Sequence, residues 1–417
     1  MSEKLLTLLY FIKFRWFSRF TDIKTLRKHQ RKLFGKQMAF VGQNSPFYKG
    51  KTDLPVMDKK SFMEHFNEIN TAGMDKDQAV DFAVECEKTR KFSKKLNGVT
   101  VGLSSGTSGN RGVFLVSDKE RVLWAGAMLA KVLPERHLLG VRIAFFMRAN
   151  SELYETVKSR FIKFGFFDMF QNMDENLQKL QAFQPTILVA PPSCLLQIAK
   201  WNRDRQIKPH KVISIAKVLE QADAEIIKKS FDAEVVHQIY QCTEGFLGAT
   251  CEYGTLHINE DIIQIEKERI DERRFIPIIT DLKRRAQPII RYRLNDILVE
   301  KAEPCKCGSV FLALEKIEGR QDDIFEFEGE NGTASVFPDF IRRCVLLADG
   351  VREYRVQQIS NTQVVILADH LSEKSKRQII DEFGKLAANY HFMAPNIAFR
   401  PYEYDNVRKL KRVERLC

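Results

Sequence analysis

Nowhere in the 417 residues is there an apolar run long enough to cross a bilayer. The run at the start, Leu5 to Ile12, falls well short of the roughly 20 residues a spanning helix needs. No small-residue cleavage site follows it, so neither a transmembrane nor a signal-led protein is expected. Internal repeats, low-complexity tracts and regular cysteine spacing are also missing; the eight irregularly placed cysteines fit a reducing compartment, and the chain is expected to be cytoplasmic. Acidic residues are scarce only at the beginning. Residues 1–60 hold fourteen Lys/Arg against four Asp/Glu, which is +10 of the chain's +12. The remainder is nearly neutral, so no basic groove runs through the whole protein and no nucleic acid is expected as a partner.

What is present is enough apolar residue, 44% of the chain, to bury one large core and a small one. The basic start interleaves Tyr10, Phe11, Phe14, Trp16, Phe17 and Phe20 with Lys13, Arg15 and Arg19. A helix docked on its own core with a solvated basic face is the favoured reading, and peripheral membrane contact through residues 1–20 is the second. Further on, the apolar runs Ile143–Met147, Thr186–Ala190, Val212–Ile215 and Val235–Tyr240 alternate with helical patterns at Asn176–Phe183 and Ala222–Phe231. That alternation predicts an α/β fold, a large domain of mostly parallel sheets covered by helices, with ligands at the carboxyl ends of the strands. After the charged connector Glu318–Asp323 the pattern changes. Strands are expected over Val351–Gln357, Gln363–Ala368 and Asn396–Arg400, and a helix over Ser372–Asn389 with Ile379, Phe383 and Leu386 on one face, which makes a small α+β domain. The expected divisions are residues 1–60, a basic helical segment packed on the large domain, 61–318 and 319–417.

Between the strand-like runs Val99–Leu103 and Val113–Val116 lies Ser104-Ser105-Gly106-Thr107-Ser108-Gly109-Asn110-Arg111-Gly112. Glycines let backbone N–H groups turn inward as a nest, the hydroxyls add donors, and Arg111 supplies fixed positive charge, a combination suited to polyphosphate. A Walker A loop would run into a helix and end in Gly-Lys-Ser/Thr, which this one does not. An ordinary hairpin connection is the alternative.

Three further motifs follow in order: Tyr240-Gln241-Cys242-Thr243-Glu244-Gly245, Pro288-Ile289-Ile290-Arg291-Tyr292-Arg293-Leu294-Asn295-Asp296, and Gly319-Arg320-Gln321-Asp322-Asp323. Together with the loop they resemble the adenylate-forming superfamily, in the branch of the phenylacetate-CoA ligases and deazaflavin-adenylating synthetases. The resemblance implies ATP-dependent conversion of a carboxylic acid to an acyl adenylate, with pyrophosphate released, then transfer to a thiol of CoA or of the phosphopantetheine of an acyl carrier protein. It places Ser104, Ser105, Gly106, Thr107, Ser108, Gly109 and Arg111 on the phosphates, and Thr243 on the α-phosphate. Glu244 would hold Mg²⁺, Tyr240 would face adenine, Asp296 the ribose hydroxyls, and Arg320 the nucleotide. Asp322 would be the hinge of a lid that carries the catalytic Lys409, with Lys411 as its rival. For Glu244 the alternative is a carboxylate at a helix N-terminus. Deazaflavin-type relatives imply a different outcome, transfer of AMP to a hydroxyl; a non-catalytic, membrane-associated nucleotide binder is the third reading. The apolar residues Phe145, Phe146, Pro191, Pro192 and Phe246 fit either an aryl or fatty acid pocket or the core. Lys217 stands where relatives carry small residues.

Cysteine spacing adds one more site. Cys305-Lys306-Cys307-Gly308 is a chelating turn, and Cys251 with His257 forms a Cys-x₅-His pair. If the pairs meet, three thiolates and one imidazole offer Zn²⁺ a tetrahedral set; unligated buried cysteines are the alternative.

Overall fold

The computed structural model describes residues 2–104, 112–134, 140–147, 150, 156, 158–159, 161–169, 171–204, 206–329, 332–351, 353–402 and 412–417. The chain divides into two units, Met1–Leu294 with Val299–Lys316, and Asn295–Leu298 with Ile317–Cys417. The assignment of Asn295–Leu298 to the second unit has no counterpart in the sequence reading, which put all of 61–318 in one domain.

The larger unit begins with helices α1 (Glu3–Ile12), α2 (Ile23–Asn44), α3 (Lys59–Glu64), α4 (Phe66–Ile69) and α5 (Lys76–Thr89). Strands β1 (Thr100–Leu103) and β2 (Val113–Val116) pair antiparallel, Leu103 opposite Val113, so the glycine-rich segment is the connection of a hairpin. Val101, Val113 and Leu115 turn inward onto Phe66, Met74, Ala79 and Ala83 of the preceding helical region, which gives the hairpin an apolar floor. Helix α6 (Asp118–Val132) then starts at a capping box in which Ser117 and Glu120 satisfy each other's backbone donors.

Strands β3 (Val141–Met147), β4 (Ile162–Asp168), β5 (Ile187–Ala190), β6 (Lys211–Ser214) and β7 (Val236–Cys242) are parallel and lie in the order β4-β3-β5-β6-β7. Helices α7 (Met173–Phe183), α8 (Pro192–Trp201) and α9 (Gln221–Phe231) connect them. Ala144, Phe146, Leu188, Ala190 and Val212 of the strands bury against Leu180, Leu195, Ile198 and Ile227 of those helices. Alternation of strand and helix therefore produced the parallel half as expected. From β7 onward the sheet becomes antiparallel, through β8 (Gly245–Thr250) and β9 (Leu256–Ile258), with β10 (Ile263–Arg269) pairing β11 (Arg274–Asp281) and β11 pairing β12 (Tyr292–Arg293). The large sheet is thus mixed rather than mostly parallel: short connections such as Thr243-Glu244 return the chain beside itself, where a parallel strand would need a crossover helix.

Strands β13 (Asp296–Glu300) and β14 (Ala313–Arg320) run from one unit into the other. The smaller unit continues with the hairpin β15 (Phe325–Gly329) and β16 (Gly332–Val336), helix α10 (Pro338–Leu346), β17 (Tyr354–Ser360), β18 (Gln363–Ala368), helix α11 (Glu373–Tyr390), β19 (Asn396–Pro401) and β20 (Val413–Arg415). Its four-stranded sheet has the order β19-β18-β17-β20. Ile379, Phe383 and Leu386 of α11 are buried with Phe325, Phe327, Val356 and Ile366, the face that helical periodicity predicts.

Candidate functional site

The carboxyl end of β7 carries the first half of the candidate site. Cys242 pairs with Gly245 across β7 and β8, so Thr243 and Glu244 are the two central residues of a tight hairpin turn. No helix begins there, which removes the helix-dipole explanation of Glu244. The Thr243 hydroxyl donates to Glu244 Oε2 at 2.9 Å. On the other side of the carboxylate, Tyr292 shares a hydrogen bond with it; burial first, and then the Glu244 charge and that hydrogen bond, push the phenol far above its ordinary value. Tyr292 is thereby kept as a neutral donor, wedged edge-on against Phe62 with ring centroids 5.2 Å apart. The segment 281–287 supports this turn, and the sequence reading gave it no role. Arg284, itself buried, donates to the main-chain carbonyl of Thr243 at 2.5 Å and to Gln287 Oε1 at 2.6 Å. Gln287 Oε1 also accepts from Leu115 N at 3.1 Å, and its amide donates to Val113 O at 2.9 Å. The strand leaving the glycine-rich loop and the Thr243–Glu244 turn are therefore held by one guanidinium–amide pair. Asp281 shapes the segment by accepting from the amides of Lys283 and Arg284 at 2.8 and 3.0 Å. Burial pushes its carboxyl up to about 6 against the lowering pull of those amides and the Arg284 charge.

At the mouth of the loop, Ser104 N donates to Gly112 O and Gly112 N to the Ser104 hydroxyl, both at 2.7 Å. Ser104 is thus a closing residue of the hairpin as well as a phosphate candidate. Ser105, Gly106, Thr107, Ser108, Gly109 and Arg111, and likewise Lys409 and Lys411, lie outside the described residues. Tyr240 is buried in β7. Phe146 is fully buried and stacked on Phe167 with centroids 4.6 Å apart, so it belongs to the core rather than to a pocket wall. Lys217 lies within electrostatic reach of the buried Cys194 thiol.

Arg291 and Arg293, the cations of the Pro288-to-Asp296 motif, are held by glutamates of β10. Arg291 Nε and Nη2 each meet a Glu266 oxygen at 3.0 Å, and Arg293 meets Glu268 at 2.8 and 2.7 Å. These bidentate pairs fix the backbone on which Tyr292 stands. Within the smaller unit, the Arg320 guanidinium lies 3.9 Å from the Asp296 carboxylate, so the two nucleotide candidates there are neighbours. The Asn295 amide donates to Asp322, and Gln321 N donates to Asn295 O at 2.7 Å.

The two cysteine pairs meet. The ligand atoms of Cys251, His257, Cys305 and Cys307 all lie within 4.8 Å of one another. Cys251 Sγ is 3.7 Å from Cys305 Sγ, close to the roughly 3.8 Å edge of a tetrahedron with 2.3 Å zinc–sulfur bonds. Cys307 Sγ is 3.3 Å from His257 Nε2. His257 Nδ1 faces the Phe311 carbonyl at 3.1 Å, which commits that nitrogen to its proton and leaves Nε2 as the ligand. Burial pushes the Cys305 thiol up, but hydrogen bonds from the Cys307 backbone, Thr255 and His257 outweigh it and hold the group down at about 6. The donor set fits zinc.

No protein-family model matches the chain. It is 22% identical over 352 residues to the protein CapK of Staphylococcus aureus, across 74% of this chain and 72% of that one. It is 25% identical over 202 residues to a phenylacetate-coenzyme A ligase of Thermus thermophilus, across 42% of each. Among solved structures, a 2-hydroxyisobutyryl-CoA ligase in the postadenylation state with 2-HIB-AMP superposes with a TM-score of 0.67 at 15% identity, over 92% of this chain and 89% of that chain. The fold is that of the adenylate-forming ligases. A second solved structure, the anthranilate CoA ligase AuaEII with anthranoyl-AMP, matches with a TM-score of 0.51 at 14% identity over 75% of this chain and 66% of that chain. In this fold the Thr243–Glu244 turn occupies the carboxyl end of the last parallel strand, where open α/β sheets place their ligands.

Proposed function

We propose that the protein activates a carboxylic acid with ATP as an acyl adenylate, releasing pyrophosphate, and passes the acyl group to a thiol of CoA or a phosphopantetheine carrier. The observation that carries this reading is the shared brace: Arg284 and Gln287 hold the exit strand of the glycine-rich loop and the Thr243–Glu244 turn in one arrangement. Attack of a carboxylate on the α-phosphate brings anions together, so the site has to hold donors and cations in fixed positions before the reactants meet. In this assignment Ser104 to Gly109 and Arg111 hold the β- and γ-phosphates, and Thr243 bonds the α-phosphate. Glu244 would hold Mg²⁺, which would supply charge neutralisation on the phosphates. Tyr292 and Thr243 orient that carboxylate. Tyr240 lies beneath the adenine, Asp296 accepts from both ribose hydroxyls, as one carboxylate can from a vicinal diol, and Arg320 adds a nucleotide contact. Lys409 is the ammonium that neutralises charge developing between carboxylate and α-phosphate. Cys251, His257, Cys305 and Cys307 would hold a structural Zn²⁺.

The test is acid-dependent pyrophosphate release over a panel of aromatic and fatty acids, followed by thioester formation when CoA or a phosphopantetheinylated carrier is added. Lys409→Ala should lower the adenylation rate roughly 10²- to 10³-fold. Unchanged release in that variant removes Lys409 from the assignment. Accumulation of a stable AMP ester of a hydroxyl compound, with no thioester, would overturn the choice of acceptor.

A further inference from the structure

Helix α1 covers α6 with one face and leaves another bare. On the covered face the helices come so close that a Cβ at Gly126 would lie 2.4 Å from Tyr10 Cβ and 2.9 Å from the Thr7 carbonyl, so only glycine fits. Thr7 and Phe14 are buried there. On the bare face Leu5, Leu8 and Leu9, at the i, i+3, i+4 spacing of one helical stripe, are 45–50% exposed. A π-helical turn, Lys13–Phe17, prolongs the stripe to Trp16 at 48% and Phe17 at 79% exposure. That turn is anchored rather than loose. Its Arg15 donates to the carbonyls of Ala130, Leu133 and Pro134 at 2.7–2.9 Å. Rigid apolar side chains of this size are held outward at a cost in water, which marks a contact surface.

Cations border the stripe. Lys13 stands on it, four residues after Leu9 and three before Trp16. The same Lys13 is within electrostatic reach of Lys283, as are Lys36 of α2 and Arg285. Burial, reinforced by Lys13 and Lys36, pushes the Lys283 ammonium down to about 8, the signature of positive groups crowded without enough counter-charge. The acid of α1, Glu3, is already paired with Arg121 at 2.7 Å. Exposed Lys24, Lys28, Arg31 and Lys32 of α2 extend the positive field. An apolar stripe edged by clustered cations calls for an apolar phase edged by anions.

We propose that α1 and the turn after it rest in the surface of an anionic phospholipid bilayer, with Leu5, Leu8, Leu9, Trp16 and Phe17 at the acyl boundary and the exposed Lys13 and Lys36 among the lipid phosphates. Among the described residues no helix is long and apolar enough to cross a membrane, so the contact is peripheral. It is independent of acid activation and stands or falls separately.

The test is flotation of the full chain with vesicles of phosphatidylcholine alone and of phosphatidylcholine with phosphatidylglycerol. Binding to the anionic vesicles is expected, weakened roughly tenfold or more by Trp16→Ser with Phe17→Ser, and shifted to the level of neutral vesicles by Lys13→Glu with Lys36→Glu or by high salt. An unchanged circular-dichroism spectrum and thermal midpoint establish that the variants are folded, and the charge variants alone decide the matter if the aromatic pair is not. Absence of binding to either vesicle overturns the proposal. So does sedimentation as a lipid-free dimer that Trp16→Ser with Phe17→Ser dissociates, since a second copy of the chain would then be what covers the stripe.

Discussion

The Arg284 guanidinium donates at 2.5 Å to the main-chain carbonyl of Thr243, 41 residues earlier in the chain. A buried arginine aimed at a turn carbonyl fixes where Thr243 and Glu244 point, and through Gln287 it ties that turn to β2. Replacement by methionine keeps much of the volume and removes every donor. Arg284→Met is expected to cost about 3 kcal/mol of stability and to lower pyrophosphate release about 100-fold through misplacement of the turn. Denaturant unfolding and steady-state kinetics measure both; full activity at reduced stability would confine Arg284 to a purely structural part.

Glu244→Gln removes the charge proposed to bind Mg²⁺ while keeping the turn. The expected result is a roughly 10²- to 10³-fold loss of adenylation with the fold intact. Tyr292→Phe deletes only an orienting hydrogen bond. It should cost about tenfold in rate, near 1 kcal/mol, and raise the Mg²⁺ concentration needed for half-maximal rate. Equal losses in both variants would argue that Tyr292 acts on the substrate directly.

Asp281 gives a pH dependence with a defined sign. Its folded value of about 6 lies above the ordinary 3.8, so the folded state holds the proton more tightly than the unfolded one. The associated stability is fully present below pH 3.8 and is lost as pH rises through about 6, a swing of about 3 kcal/mol. Asp281→Asn retains an oxygen for the Lys283 and Arg284 amides and cannot titrate. Between pH 4.5 and 7 the wild-type chain should lose stability relative to this variant; parallel urea-midpoint curves would contradict the assignment.

Cys305→Ser should abolish stoichiometric zinc in metal analysis and cost on the order of 3–5 kcal/mol. Cys344→Ser serves as the comparison, because Cys344 belongs to the separate core of the smaller unit and stands outside the four-ligand cluster. Zinc retained in the Cys305 variant would mean that the cluster is a thiol-rich patch only.

Elements with a local cause could be read from sequence. Apolar runs on both sides of Ser104–Gly112 specify a hairpin, and β1 and β2 form one. Helix α11 buries Ile379, Phe383 and Leu386 because they recur at helical spacing. The Cys-x₅-His and Cys-x-Cys pairs carried a ligand signature, although only the pairing of β9 with β14, Ala313 opposite His257, brings them together. What stayed hidden depends on distant partners. Lys283-Arg284-Arg285 looks like a solvated basic run, yet Arg284 is buried by contacts to Thr243, Leu115 and Gln287. Tyr292 read as part of a motif, and its contact with Glu244 depends on the return of β12 beside β11. At α1 the interleaved aromatics and cations left a docked face and a membrane-facing one both open, because periodicity cannot say which of two faces finds a neighbour.

The most direct measurement is ATP–pyrophosphate exchange with the full chain, run with and without each acid of an aromatic and fatty panel, beside the Glu244→Gln variant. Exchange that requires one class of acid and falls at least about 100-fold in the variant is the predicted result. Exchange that is absent for every acid although ATP binds, or that proceeds equally in Glu244→Gln, would contradict the assignment of this turn to acyl adenylation.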